Sequence, residues 1–406
     1  MDEFGGASFL LYTDPDRMTS ETMLTGLQAL EATDWSKLHH AYGRATDTPN
    51  HLRALLNSDA EARKAALFHL SSAVIHQGTP WTATGPAALV VAGMMADERI
   101  DQGNRPVRLD LLSFLVSAAE ASTPSGWSME QLEQLASYNI DHLIDSEDEN
   151  AFWEDEAADN AFFARSVLGC VAVTPVLMKV MLDGLEHANP RIRAGAAMGA
   201  VALAKVGSLR SDVTGLESKL VAMARDADTT DERSAHILAL GDLGFAPLEF
   251  LTDPSPAVRI CAAMAPALAR NVGAIKELVD AVEYHARDID TWFKDGPPQF
   301  SMRPRFYVVA RVMERTTDFG QFASGAEAVV GITSKYCVDH EWGPLLVAAF
   351  PDGSGAVKTE AQRRFLGALI NRAELWDPTF GNASKWFKKA GLPFDRHECE
   401  RRTKGG

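Results

Sequence analysis

A turn, an arginine and an alanine-rich apolar run follow one another four times in this chain. The copies lie at residues 57–66, 189–197, 226–235 and 253–263, with Arg63, Arg193, Arg233 and Arg259 heading the apolar runs. Arg193, Arg233 and Arg259 are spaced by 40 and 26 residues, two units averaging 33. That is the period of a helical hairpin, and hairpins that cannot bury their apolar faces alone stack into extended arrays whose usual product is a binding surface. In the two cleanest copies Ile192 and Val258 precede the arginine, and Ala196, Ala197, Met198 and Ala262, Ala263, Met264 follow at matching offsets. Small residues there let neighbouring helices approach closely. Asn189–Pro190 and Asp253–Pro254 are expected to open helices, since Asn or Asp caps exposed amides and proline needs no amide donor in the first turn.

These features resemble HEAT repeats, particularly the short HEAT-like repeats of bilin lyases and many bacterial proteins. A second resemblance rests on Asp34, Trp35, Leu38, His40, Tyr42 and Gly43, then Pro49, His76–Thr79, Gly381–Asn382 and Ala390–Pro393. It is to a group of actinobacterial HEAT-repeat proteins, some of which are similar to immunity proteins that neutralise secreted toxins. The resemblance implies an all-α fold, an α-solenoid of HEAT-like hairpins spanning 20–406 after an N-terminal arm at 1–19. Loop insertions are expected near 141–160 and 290–304. The segment at about 100–165 carries a helical stripe in Leu109, Leu112, Leu115 and Val116, and strands are hard to find anywhere.

The charge balance narrows the partner. Against 39 Lys plus Arg stand 55 Asp plus Glu, a net charge of −16, which repels nucleic-acid phosphates and anionic membrane surfaces and attracts a basic protein. The stretch from Asp141 to Asn160 is the most acidic and holds no Lys or Arg. Asp148, Glu149, Glu154 and Asp155 are its candidate docking charges, with Trp153 as an apolar anchor; a solvated helix face or loop is the structural alternative. A second candidate is the Pro-interrupted loop that carries Trp292, Phe293 and Phe300. Either it contacts a partner or it folds back over a repeat end.

Chemistry is harder to place. The four cysteines form no CxxC pair, so they read as thiols of a cytoplasmic protein. No apolar run is long and unbroken enough to span a membrane: 85–96 is short, and 166–182 is interrupted by Thr174, Pro175 and Lys179. His39, His40, His51 and His69 near Asp34 raise a metal question, but no pair has the i, i+4 spacing of one helix face. At His76–Thr79 a helix is expected to end, with Gly78 as its left-handed cap. His340–Glu341 and His397–Glu398 are similar to the dyads with which HEAT-repeat deoxyhypusine hydroxylases hold two irons. Only two dyads occur, outside the clean repeats, so no metal, cofactor or catalytic residue is expected. The repeat arginines read as structural. The sequence therefore points to a non-catalytic protein-binding scaffold, most sharply an immunity protein for a toxin domain. The alternatives are a HEAT-type enzyme, either a chromophore lyase or a metal-dependent modifier, and a general regulatory adaptor.

Overall fold

A computed structural model of the chain describes residues 23–102, 106–144, 155–206 and 215–404. Among these residues lie 20 α-helices and four two-residue strands, so the fold is all-α. The chain divides into two compact units, Met1–Leu216 and Glu217–Gly406. The expected arm at 1–19 lies outside the described residues.

The first unit begins with α1 (Gly26–Ala32), a hairpin of β1 (His39–His40) and β2 (Gly43–Arg44), and helices α2 (Thr48–Ala54) and α3 (Ala60–His69). A π-helical turn at Leu70–Val74 leads into a second hairpin, β3 (Ile75–His76) and β4 (Thr79–Pro80). Gln77 and Gly78 take φ of 51° and 83°, so this is the two-residue left-handed turn that matches strand twist. Gly78 thus adopts the left-handed conformation expected of it, but in a hairpin rather than as a helix cap. The helical turn before it is closed by His76, whose Nδ1 lies 2.7 Å from the Ser72 carbonyl.

Helix α4 (Thr84–Met94) is buried on all sides but Gly93, as an apolar helix without a polar face must be. It packs on α1, on α5 (Arg108–Ala121), on α8 (Glu156–Ala172) and on α9 (Thr174–Gly184). Two crossings are too close for side chains. A β-carbon on Gly93 would sit 2.2 Å from the Gly26 nitrogen, and one on Gly85 2.5 Å from the Gly169 carbonyl oxygen. The acidic stretch opens with α7 (Asp141–Ile144), after α6 (Met129–Ala136), and resumes at α8; residues 145–154 are outside the described set. Helices α8 and α9 meet at 47° where Val173–Pro175 break the run. Among the described residues no single helix is long and apolar enough to cross a membrane, although this bent pair passes on length and composition. The unit's last helix is α10 (Pro190–Ala204), whose Asn189 caps the Arg191 amide at 2.9 Å.

The second unit takes α11 (Leu216–Asp226) from its second residue onward, then α12 (Thr230–Asp242), α13 (Pro256–Ala263), α14 (Val272–His285), α15 (Pro304–Arg315), α16 (Ala323–Val330), α17 (Trp342–Ala349), α18 (Glu360–Ile370), α19 (Asn382–Lys389) and α20 (Arg396–Thr403). Helices α12, α13, α14, α16, α18 and α20 pack each on the next, while α15 lies on α14 and α17 touches α16, α18 and α19. Helix α13 starts two residues later than Asp253–Pro254 suggests. Its first-turn proline is Pro256, and Asp253 instead holds the Ser255 amide at 2.8 Å.

The repeat arginine is structural. Arg193, Arg233 and Arg259 each donate to the carbonyl six residues earlier, on His187, Ala227 and Asp253, at 2.8, 3.0 and 3.0 Å. Arg233 also reaches Asp253 and Arg259 reaches Glu277, tying α12 to the turn before α13 and α13 to α14. Other guanidiniums cover helix C-termini, where unpaired carbonyls and the helix dipole favour a cation. Arg108 does so for α4, Arg165 for α6, Arg315 for α13, Arg372 for α16 and Arg396 for α18.

All four cysteines are free thiols and buried. Burial pushes the thiols of Cys170, Cys261 and Cys399 up to about 12. At pH 8 the native protein should therefore give no fast reaction with a disulfide reagent, and all four thiols should react after unfolding. A rapid native equivalent would contradict this packing.

Candidate functional site

The structure gathers imidazoles around one carboxylate in the first unit. His40 comes from β1, Asp47 from the residue before α2, and His69 from the end of α3. The backbone fixes each position. The Ala41 amide donates to the Ala73 carbonyl at 3.0 Å, and the Ala83 amide to that of His39 at 3.1 Å, so the first hairpin is bound to the segments flanking the second. Thr84 Oγ1 donates to the Val74 carbonyl at 2.6 Å and closes the π-helical turn.

Asp47 stands at the N-terminus of α2 yet makes no side-chain cap there. Its Oδ1 lies 2.9 Å from His40 Nε2, and its Oδ2 4.0 Å from His69 Nδ1. The other ring nitrogens are held too. His40 Nδ1 accepts the Tyr42 amide at 3.1 Å, and His69 Nε2 lies 2.9 Å from the buried Thr48 hydroxyl. His51 stacks on His69 with ring centroids 4.2 Å apart. The imidazoles are enclosed while the carboxylate meets water: the side chains of His40 and His69 are 5% and 7% exposed, that of Asp47 54%.

The electrostatics follow from this geometry. Burial, reinforced by the His51 and His40 rings against an opposing pull from Asp47, lowers His69 to about 4. Neighbouring His39, buried edge-on against Phe162, is lowered to about 4 by burial, with Arg44 and His40 adding to it. Burial alone would raise the Asp47 carboxyl, but the His40 hydrogen bond and the nearby imidazoles bring it below its ordinary value. The ligand atoms of His40, Asp47 and His69 lie within 4.8 Å of one another.

Helix-face spacing missed this cluster because its members come from a strand, a helix start and a helix end. Asp34, the acid singled out beside these histidines, instead binds the Ser36 amide and hydroxyl at 3.2 and 2.6 Å. A density of four histidines within 39–69 was the only sequence signal. The His–Glu dyads do not form joint sites. Glu341 is fully buried against Arg305 while His340 is exposed and stacks on Phe306; Glu398 pairs with Arg401 beside an exposed His397.

Of the residues proposed for docking, Asp148, Glu149, Trp153 and Glu154 lie outside the described residues. Asp155 caps α8 through the Ala157 and Ala158 amides at 2.9 and 3.4 Å. It also accepts the Tyr138 hydroxyl at 3.0 Å, a bond that lowers its carboxyl below the ordinary range. The second loop folds back. Its Lys294, Asp295 and Gly296 amides converge on the Asp231 carboxylate at 2.8–3.2 Å, and Gln299 donates to the Ala235 carbonyl. Phe293 is buried, and Phe300 packs between it and Tyr307, with ring centroids 5.6 and 4.9 Å apart. Trp292 is half-buried beside His285. Comparison of the chain with family models, curated proteins and solved structures finds no match.

Proposed function

We propose that this all-α chain is a non-catalytic protein-binding solenoid of HEAT-like hairpins. In its sharpest form it is an immunity protein that binds and neutralises a basic toxin domain. The observation that carries this reading is the disposition of its charge. Guanidiniums are turned onto backbone carbonyls at the repeat turns and helix ends, where they serve the packing. The chain as a whole carries 16 more carboxylates than Lys and Arg, an excess that attracts a basic partner. Complementary charge accelerates encounter and selects against acidic competitors. The sequence-order packing of α12 to α20 supports a stacked array, and a general regulatory adaptor would differ in its partner rather than in this surface.

The test is charge reversal at Asp148, Glu149 and Glu154 in a complex with a captured partner. Asp155 is left intact because it caps α8. Association at low salt should slow at least tenfold. An unchanged association rate would remove this segment as the docking site.

A further inference from the structure

We propose that His40, Asp47 and His69 form a binding site for a divalent transition-metal ion of the zinc class. Two imidazoles and one carboxylate, with no thiolate, are the donor set that such ions favour over calcium or magnesium, which prefer oxygen. The spacing is close to what coordination needs. With bonds of about 2.0–2.1 Å, donors at a tetrahedral angle lie about 3.3 Å apart. Asp47 Oδ1 to His40 Nε2 is 2.9 Å and Asp47 Oδ2 to His69 Nδ1 is 4.0 Å, and one ligand atom from each residue lies within 4.8 Å of the others, so small side-chain adjustments bring the three donors to that value. The carboxylate that must adjust is the exposed member of the set, and it is not engaged in capping its own helix.

The surrounding residues prepare His69. Thr48 holds its Nε2 from inside the core, which directs Nδ1 towards Asp47, and the stacked His51 ring fixes its plane. His40 must change more. Its Nδ1 accepts the Tyr42 amide, so in the neutral ring the proton sits on Nε2, between the ring and Asp47. An ion at Nε2 replaces that proton, Nδ1 becomes the protonated nitrogen, and the Tyr42 amide turns away. Tyr42 lies in the two-residue turn of the first hairpin and is 65% exposed, so the element that must yield is a surface turn. Water completes the coordination from the side on which Asp47 meets solvent. This inference is independent of partner binding.

The experiment is calorimetric titration of the chelator-stripped full chain with zinc. Cobalt absorption and imidazole nitrogen NMR serve as second readouts. One saturable equivalent per chain is expected, with the His40 and His69 resonances shifting together. Asp47→Asn, on an exposed side chain, should keep the helical circular dichroism and weaken zinc binding at least tenfold. His397→Ala, on a side chain 86% exposed, should leave it unchanged. His69→Gln should abolish the equivalent, with Asp47→Asn carrying the result if that variant does not fold. Absence of saturable binding, affinity unaltered in Asp47→Asn, or loss in His397→Ala would each overturn the proposal.

Discussion

Glu341→Ala is expected to destabilise the second unit by about 3–5 kcal/mol, the cost of depriving a buried guanidinium of the fully buried one of its two counter-ions. Glu341 is fully buried and Arg305 nearly so. One carboxylate oxygen accepts Arg305 Nε and the other the Thr333 hydroxyl, both at 2.5 Å. Asp290 supplies a second carboxylate to Arg305 at 3.1 Å from its partly exposed side chain, and the Ala286 carbonyl lies 3.3 Å away. The network joins the start of α15, the start of α17 and the turn after α14. Removing one partner strands a buried charge, whereas removing Arg305 and Glu341 together leaves the Thr333 hydroxyl and Asp290, which is partly exposed and keeps the backbone amide of residue 305 at 3.0 Å. Arg305→Met combined with Glu341→Leu should therefore regain most of the loss. In thermal unfolding the single variant should melt about 10 °C lower. A double variant no more stable than the single one would show that the network contributes something other than charge pairing.

Gly93→Ala should destabilise the first unit by about 3 kcal/mol, since the added carbon meets the backbone of Thr25 and Gly26, which has no rotamer to change. Gly85 and Gly169 make a sharper comparison. They face each other at the α4–α8 crossing, but a β-carbon on Gly85 strikes the Gly169 backbone while one on Gly169 meets nothing within 4 Å. Gly85→Ala should therefore cost about 2–3 kcal/mol. Gly169→Ala, inside a helix and in open space, should stabilise by about 0.5–1 kcal/mol. Urea unfolding of the three variants measures this. Equal effects at positions 85 and 169 would mean that the two helices do not cross as described.

The helical part of the fold was legible where the signal is local. Asn189–Pro190 opens α10 because capping and proline geometry act within one turn, and Arg193, Arg233 and Arg259 are legible as structural because a carbonyl acceptor of each lies six residues away, whereas those of Arg63 lie on Arg99 and Gln102. What depends on through-space approach was not legible. The run at 85–96 could be dismissed as a membrane span, but nothing in it shows that Gly85 and Gly93 are where other backbones pass. Two-residue strands are likewise too short to carry a period. The candidate site divides in the same way. The histidines drew attention by number, but the acid that joins them is Asp47, seven residues beyond His40 and across a hairpin. Trp292, Phe293 and Phe300 stood out as aromatics amid proline and glycine, a composition that fits a folded-back loop as well as an exposed one. The distinction rests on Asp231, more than sixty residues away, holding the loop amides.

The account rests on recognition of a basic protein, and native co-purification tests it most directly. Tagged protein is recovered from its own cells at about 50 mM and about 300 mM salt, two concentrations between which charge screening tightens strongly, and whatever remains is identified by mass spectrometry. The account predicts one stoichiometric basic protein, retained at low salt and depleted at high salt, and toxic when expressed alone if the immunity reading holds. An acidic partner, or a partner whose retention ignores salt, would contradict it.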